Sequence, residues 1–326
     1  MQIIELNKIR RLEGPTSLAL GFFDGIHLGH RRILEKARRI AKEKGYQSGI
    51  FTFYRHPVEV LQPGFCFHYL TTLEEREKII ESLGLDYFLI LPFSKEVKSI
   101  SPEDFIENLI IGRLNARAVV VGKDYKFGRD AGGNIEMLKE KLEPRGIEVH
   151  VMDEVLIKNE KIGSTIIRND ITSGLIDHAN KGLGRWYSIE GIVRSGNKRG
   201  RKLGIPTANL DLPDNKVIPP EGVYCVFALL NGKLFKGVGN MGSRPTFGEY
   251  HPTFEVHIMD FSGDIYGEKI RVFFVNKVRD IIKFDTAKDL VKRIKTDINI
   301  CSERLSKISI GEMEINFKCC PGIKVM

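Results

Sequence analysis

No stretch of the 326 residues is long and apolar enough to cross a bilayer. The start, Met1-Gln2-Ile3-Ile4-Glu5-Leu6-Asn7-Lys8, lacks the basic opening, apolar core and small-residue cleavage site of an export signal. The expectation is a soluble, cytoplasmic chain. Cysteine is scarce: five residues, an odd number with no C-x-x-C spacing, exclude a disulfide framework and a zinc ribbon. The thiols are expected to be reduced and without a role, the adjacent Cys319-Cys320 included. No G-x-x-x-x-G-K-[ST] occurs, so any ATP is bound without a Walker A loop. Repeats and low-complexity tracts are also absent, and the single tryptophan, Trp186, reads as a core residue.

Basic residues are in excess: 50 Lys and Arg against 42 Asp and Glu give a net charge of +8. Such a balance attracts nucleotide phosphates, nucleic acid or acidic membranes alike, and interspersed acidic residues keep it from choosing among them. The length exceeds that of an ordinary single domain, so two domains are expected.

Up to about residue 155, short β-rich apolar runs at 18–21, 48–53, 86–91, 118–122 and 147–152 alternate with helical patterns at 31–44, 72–83 and 102–114. Thr72 and Ser101 are placed to cap the second and third. This is the grammar of a mostly parallel sheet in a Rossmann-like layered α/β domain. After Gly184 the pattern becomes alternating strands, at 189–194, 223–230, 233–238, 253–260 and 269–275. Asn231-Gly232 supplies a type I′ hairpin signal, and an antiparallel β-barrel of five or six strands follows. A C-terminal helix over 286–306, with Leu290, Ile294 and Ile298 on one stripe, closes this half. The expected division is 1–182, including a linker, then 183–306, then a tail of unknown structure at 307–326.

Chemistry concentrates first where the 18–21 strand meets a helix, at Phe22-Phe23-Asp24-Gly25-Ile26-His27-Leu28-Gly29-His30. A helix N-terminus offers unpaired N–H groups, Gly29 admits close approach of the backbone, and two imidazoles can donate to charge building on phosphorus. The alternative is that His27 and His30 merely cap or pack. Zinc is disfavoured, since His-x-x-His lacks the Glu and third ligand of a metalloprotease helix.

The segment from Gly21 to His30 is similar to the H-x-G-H signature of the nucleotidyltransferase superfamily, in the form found in bacterial FAD synthetases. Phe51-Thr52-Phe53 with His56-Pro57 resembles the stretch after that family's second strand, and Gly122-Lys123-Asp124-Tyr125-Lys126-Phe127-Gly128 its flavin-side motif. The resemblance implies ATP or phosphate binding at Gly21, Phe22, Asp24 and Gly29, catalytic roles for His27 and His30, and flavin binding at Asp124 and Phe127. A Ser-Ser-Thr-x-x-Arg run appears as Gly163-Ser164-Thr165-Ile166-Ile167-Arg168, implying triphosphate contacts from Ser164, Thr165 and Arg168. Gly163 replaces the first Ser and Ile166 fills a slot often basic, which implies slowed adenylylation.

The second concentration is a basic, Gly-studded loop, residues 191–204, leading into Ile205-Pro206-Thr207-Ala208-Asn209-Leu210. Thr207 and Asn209 point the same way in extended chain and present oxygens suited to Mg²⁺. On the 253–260 strand, Glu255 and His257 share the face opposite Phe254, Val256 and Ile258, so Glu255 reads either as a general base or as a solvent-facing residue. Residues 200–210 resemble the riboflavin kinase signature, followed in order by Gly222-Val223-Tyr224, the 239–247 run, Phe254-Glu255-Val256-His257, Tyr266-Gly267, Arg279 and Lys283-Phe284. The resemblance implies Thr207 and Asn209 as magnesium ligands, with Gly200, Arg201, Gly204 and Thr207 at ATP. It makes Glu255 the base for the ribityl hydroxyl and puts Arg279 and Phe284 at the flavin.

Together the motifs resemble the bifunctional bacterial riboflavin kinase/FAD synthetase family over roughly residues 15 to 305. The implied activity is phosphorylation of riboflavin to FMN, then adenylylation of FMN to FAD, with ATP and Mg²⁺ in both steps. Riboflavin, FMN and ATP are the implied partners, and neither a membrane nor nucleic acid is expected. Two other readings stay open at this point: a kinase with a regulatory nucleotide-binding N-terminal domain, and a non-enzymatic RNA- or flavin-binding protein.

Overall fold

The structure, a computed structural model, describes residues 1–62, 64–196, 200, 203–246 and 249–309, with the backbone alone at 244–246 and 249–251. Arg201, Phe247 and the tail with Cys319-Cys320 therefore lie outside the described residues. The chain divides into two compact units, the second beginning at Ser164.

The first unit runs β1 (Gln2–Glu5), β2 (Thr16–Leu20), α1 (Leu28–Lys44), β3 (Gln47–Phe53), α2 (Pro57–Leu61), α3 (Leu73–Ser82), β4 (Tyr87–Leu91), α4 (Lys95–Lys98), α5 (Pro102–Asp104), β5 (Ala116–Gly122), α6 (Ile135–Leu142) and β6 (Glu148–Met152). A small hairpin, β7 (Leu156–Ile157) and β8 (Glu160–Lys161), ends it. Strands β1 to β6 form one parallel sheet in the order β1-β4-β3-β2-β5-β6. Central β2 is buried along its whole length, as a strand covered on both faces must be. The chain reverses its direction of winding between β2 and β5, and ligands of such sheets bind beyond the strand ends at that crevice.

Helix α1 shows the expected apolar stripe, with Ile33, Leu34, Ala37, Ile40 and Ala41 buried, and it ends where Gly45 turns left-handed at φ 71°. Thr72 and Glu75 form a reciprocal capping box on α3. Two expectations are corrected. Edge strand β1 adds to the sheet where no strand was expected, because only half of its residues are apolar. The 102–114 helix is not uniform: after α5 it widens into a π-helix, Phe105–Arg113, which buries Phe105, Ile106, Leu109 and Ile110 together. Phe105 bridges Phe51 and Phe127 in the core.

In the second unit, α7 (Ser164–Thr172) and α8 (Ile176–Leu183) precede β9 (Tyr187–Arg194), β10 (Ala208–Asp211), β11 (Gly222–Leu230), β12 (Lys233–Thr246), β13 (Glu249–Ile258), β14 (Lys269–Arg279) and α9 (Ala287–Ser306). The six strands close an antiparallel barrel in the order β10-β13-β12-β11-β14-β9. Four-residue β10 pairs with both β9 and β13. Asn231 and Gly232 both take positive φ, 48° and 75°, as a type I′ turn requires.

Two cores share β11. Inside the barrel Phe274 stacks on Phe254 and meets Tyr224 edge to face, while Val223, Cys225 and Phe227 face outward and pack with Trp186, Phe273, Cys301 and Leu305. That explains why β11 reads as a continuous apolar run rather than an alternation. The buried stripe of α9 is Asp297, Cys301 and Leu305, whereas Leu290, Ile294 and Ile298 are half-buried. Cys225 and Cys301 are free thiols whose sulfurs meet at 3.0 Å.

Candidate active sites

The turn between β2 and α1 departs from ordinary backbone geometry. Phe23 and Ile26 hold positive φ, 57° and 39°, a conformation unfavourable for side chains of their bulk. Both are almost fully buried, so core packing holds the strain in place. Asp24 faces inward, where its carboxylate accepts from the backbone N–H of Leu70 at 3.0 Å, from Thr71 N–H at 3.1 Å and from the Thr71 hydroxyl at 3.2 Å. The same Thr71 hydroxyl accepts from Gly25 N–H at 2.9 Å. Asp24, expected at the phosphates, thus ties the turn to the 70–71 segment.

His27 caps α1, its Nδ1 accepting from His30 N–H at 3.3 Å, so the neutral ring carries its proton on Nε2. The His27 and His30 rings stack with centroids 3.6 Å apart, and the edge of Phe23 backs His30. A side chain at Gly29 would start 3.0 Å from the His27 ring, and one at Gly21 the same distance from Phe23. Both glycines therefore make room for turn residues. The structure brings Gly21, Phe22, Asp24, His27, Gly29 and His30 together at the carboxyl end of β2 next to the crevice.

Beneath the turn lies Arg76, 1% exposed, at a position of α3 that also buries Ile79 and Ile80. Its guanidinium stands 5.0 Å from the Phe22 ring centroid and donates to the Phe22 carbonyl at 3.3 Å. Burial lowers its pKa and the nearby Asp24 carboxylate raises it; an arginine remains a cation regardless. Phe22 also meets His56, which stacks on Phe67. Tyr69 accepts from His56 N–H and donates to Glu59, and burial, ahead of that carboxylate, pushes its phenol pKa up.

At the carboxyl end of β5, Asp124 is exposed on the loop beside Gly122. Phe127 is not: its ring is buried against Phe105 and Tyr125, and its backbone pairs with Gly133. The aromatic expected at the flavin is packed beneath the loop that carries Asp124. Ser164 and Thr165 occupy the first turn of α7 and Arg168 the next, with Ile167, Asp170 and Ile171 packed inward. The N–H groups of a first turn and two hydroxyls suit phosphate oxygens.

In the barrel unit, a pocket of about 480 Å³ is lined by Gly200, Thr207, Asn209 and Glu255 on one side and by the 261–266 loop on the other. The register Asn209↔Glu255 sets those side chains next to each other on the outer face, with Arg194 as the other neighbour of Asn209. Thr207 Oγ1 donates to Glu255 Oε2 at 3.3 Å. Gly200 lies against the Ile205 carbonyl, where a side chain has no room, and Gly204 is left-handed at φ 74°.

Arg279 and Phe284, expected at the flavin, are not among the residues lining this pocket. The Arg279 fork is taken up by Asp297 on α9, with Nη2 2.6 Å and Nε 3.0 Å from Oδ2, and its Nη1 donates to the Asp280 carbonyl. Asp297, 2% exposed, also meets Arg293 at 3.2 Å. Arg279 fastens α9 to the end of β14.

A family model described as FAD synthetase matches residues 9–166, and one described as riboflavin kinase matches residues 183–305. The bifunctional riboflavin kinase/FMN adenylyltransferase of Bacillus subtilis (strain 168) is 36% identical, over 89% of this chain and 92% of that protein. The chain belongs to the bifunctional riboflavin kinase/FMN adenylyltransferase family. The family member from Buchnera aphidicola subsp. Schizaphis graminum is 35% identical, over 93% of this chain and 98% of that protein. A crystal structure titled a macrolide-efflux protein from Streptococcus pneumoniae is similar with a TM-score of 0.86 and 33% identity, covering 92% of this chain and 98% of that one. No helix among the described residues here is long and apolar enough to cross a membrane.

Within the family frame, the FAD synthetase match contains the strained turn and the Asp124 loop, and the riboflavin kinase match contains the whole pocket with Thr207, Asn209 and Glu255. Sequence reasoning assigned no role to Arg76, His257 or Asp297. For Arg76 and Asp297 a signal exists: each is a charged residue sharing a helix face with buried apolar positions.

Proposed function

We infer that the chain phosphorylates riboflavin in the barrel pocket and adenylylates the resulting FMN within residues 1–182, using ATP in both steps. The observation that carries the kinase half is the convergence of Thr207, Asn209 and Glu255, from two strands, on one pocket. Glu255 accepts the proton of the ribityl hydroxyl as its oxygen attacks the ATP γ-phosphorus, and ADP leaves. The Thr207 hydroxyl and Asn209 amide oxygen are hard, neutral donors that fit Mg²⁺ shared with phosphate oxygens, and they are the residues that would hold it. The ion, when bound, offsets charge on the transferring phosphoryl group.

In the second reaction a phosphate oxygen of FMN attacks the α-phosphorus of ATP and pyrophosphate leaves. That nucleophile needs no protein base. His27 and His30 donate hydrogen bonds to the α-phosphoryl oxygens as charge builds on them, and the N–H groups of Leu28 and Gly29 at the start of α1 add to them. Gly21, Phe22, Asp24 and Gly29 hold the turn, Ser164, Thr165 and Arg168 bind the triphosphate, and Asp124 meets the flavin side. Residues 1–182 carry this step and residues 183–306 the kinase step. Use of ATP in both steps supports a cytoplasmic setting.

The test incubates the purified chain with riboflavin, ATP and Mg²⁺, separates the flavins by chromatography, and repeats the assay from FMN. FMN followed by FAD is the expected result. Accumulation of FMN without FAD would leave the kinase alone, and untouched riboflavin with folded protein would end the enzymatic reading.

A further inference from the structure

The ladder joining β10 to β13 stops at Ala208↔Val256. Thr207 is the next residue toward the pocket, and Pro206 before it has no N–H with which to continue the pairing. The proposed metal and phosphate ligand thus stands one residue past the last backbone pair of its strand. His257 meets the chain there: its Nδ1 lies 2.8 Å from the Pro206 carbonyl oxygen. A carbonyl can only accept, so Nδ1 carries the proton and donates.

That oxygen belongs to the planar peptide whose nitrogen is Thr207 N, so fixing it fixes the plane from which the Thr207 side chain projects. Two residues earlier on the same face, Glu255 accepts from the Thr207 hydroxyl. The outer row of β13 therefore grips the 206–207 segment at two points, one on backbone and one on side chain.

We propose that His257 is a positioning residue of the kinase site, its Nδ1–H holding the Pro206–Thr207 peptide so that the Thr207 hydroxyl stays aligned for magnesium-bound ATP. The inference rests on reading the barrel pocket as the kinase site. It assigns His257 no contact with substrate and no proton transfer.

The decisive comparison is His257→Asn, whose amide Nδ2 is one bond from Cγ as the imidazole Nδ1 is, against His257→Phe, which keeps a ring but has no donor. Steady-state FMN formation is measured in the full chain with MgATP and riboflavin varied separately, beside FMN-to-FAD conversion and thermal unfolding. The Phe variant is expected to raise KM for MgATP about tenfold, with kcat and the riboflavin KM changed less than about threefold. The Asn variant should return KM for MgATP to within about threefold of wild type. Conversion of FMN to FAD should be unchanged in both. Equal KM values for MgATP in the two variants overturn the proposal, as does a Phe variant that fails to fold beside a folded Asn variant, since the bond would then serve stability alone. A wild-type chain that makes no FMN removes the kinase reading itself.

Discussion

The turn after β2 and the pocket on the barrel, the two sites we propose for phosphate chemistry, are built by opposite means. The turn is nine consecutive residues whose main chain is the working part: positive φ at Phe23 and Ile26, a buried Asp24 bracing it from below, and Gly29 making room for the His27 ring that stacks on His30. The pocket takes residues far apart in sequence and uses regular sheet, with pairing register setting Asn209 and Glu255 side by side. Strain is concentrated in the first and nearly absent from the second. The turn should therefore fail when backbone or packing is disturbed, and the pocket when a single functional group is exchanged.

The sharpest form of this contrast is Glu255→Gln. It keeps the size and hydrogen-bonding reach of the side chain but removes the base, so FMN formation should fall by about 10³-fold while FMN-to-FAD conversion is retained, as followed by flavin chromatography. Next is Gly29→Ala, which adds one methyl group within 3.0 Å of the His27 ring. A displaced His27 should slow FAD formation by about 10²-fold and leave riboflavin phosphorylation alone. Equal loss of both activities in either variant would break the comparison. The smallest effect concerns Gly163, around which nothing lies within 4 Å of an added Cβ and whose φ is not left-handed. Gly163→Ser should fit without strain and, by restoring a hydroxyl to the triphosphate motif, raise the FMN-to-FAD rate about threefold.

The contrast also decided what could be read in advance. The turn was legible because its parts are contiguous, and the strand-to-helix grammar around it was clear. Glu255, Thr207 and Asn209 followed from period-two alternation together with the family resemblance. What escaped depended on contacts between distant residues. The inward orientation of Asp24 depends on Leu70 and Thr71, and the placement of Arg279 depends on a carboxylate 18 residues further on that shares a helix face with Cys301 and Leu305. Phe127 carried a flavin expectation through the family resemblance, and nothing in the sequence marked the π-helix whose Phe105 packs against its ring. The sixth barrel strand is four residues long, too short for periodicity to register.

The outer core of the barrel has a consequence for synthesis. The ring closes only when β14 pairs with both β9 and β11, and the outward row of β11 stays uncovered until α9 has docked with Cys301 and Leu305. A chain emerging from the ribosome N-terminus first can complete the parallel sheet early, since all its strands lie before residue 153. The barrel has no such head start. Its apolar strands remain exposed until α9 has been made, so the half that phosphorylates riboflavin is the half most in need of protection from aggregation as it is made.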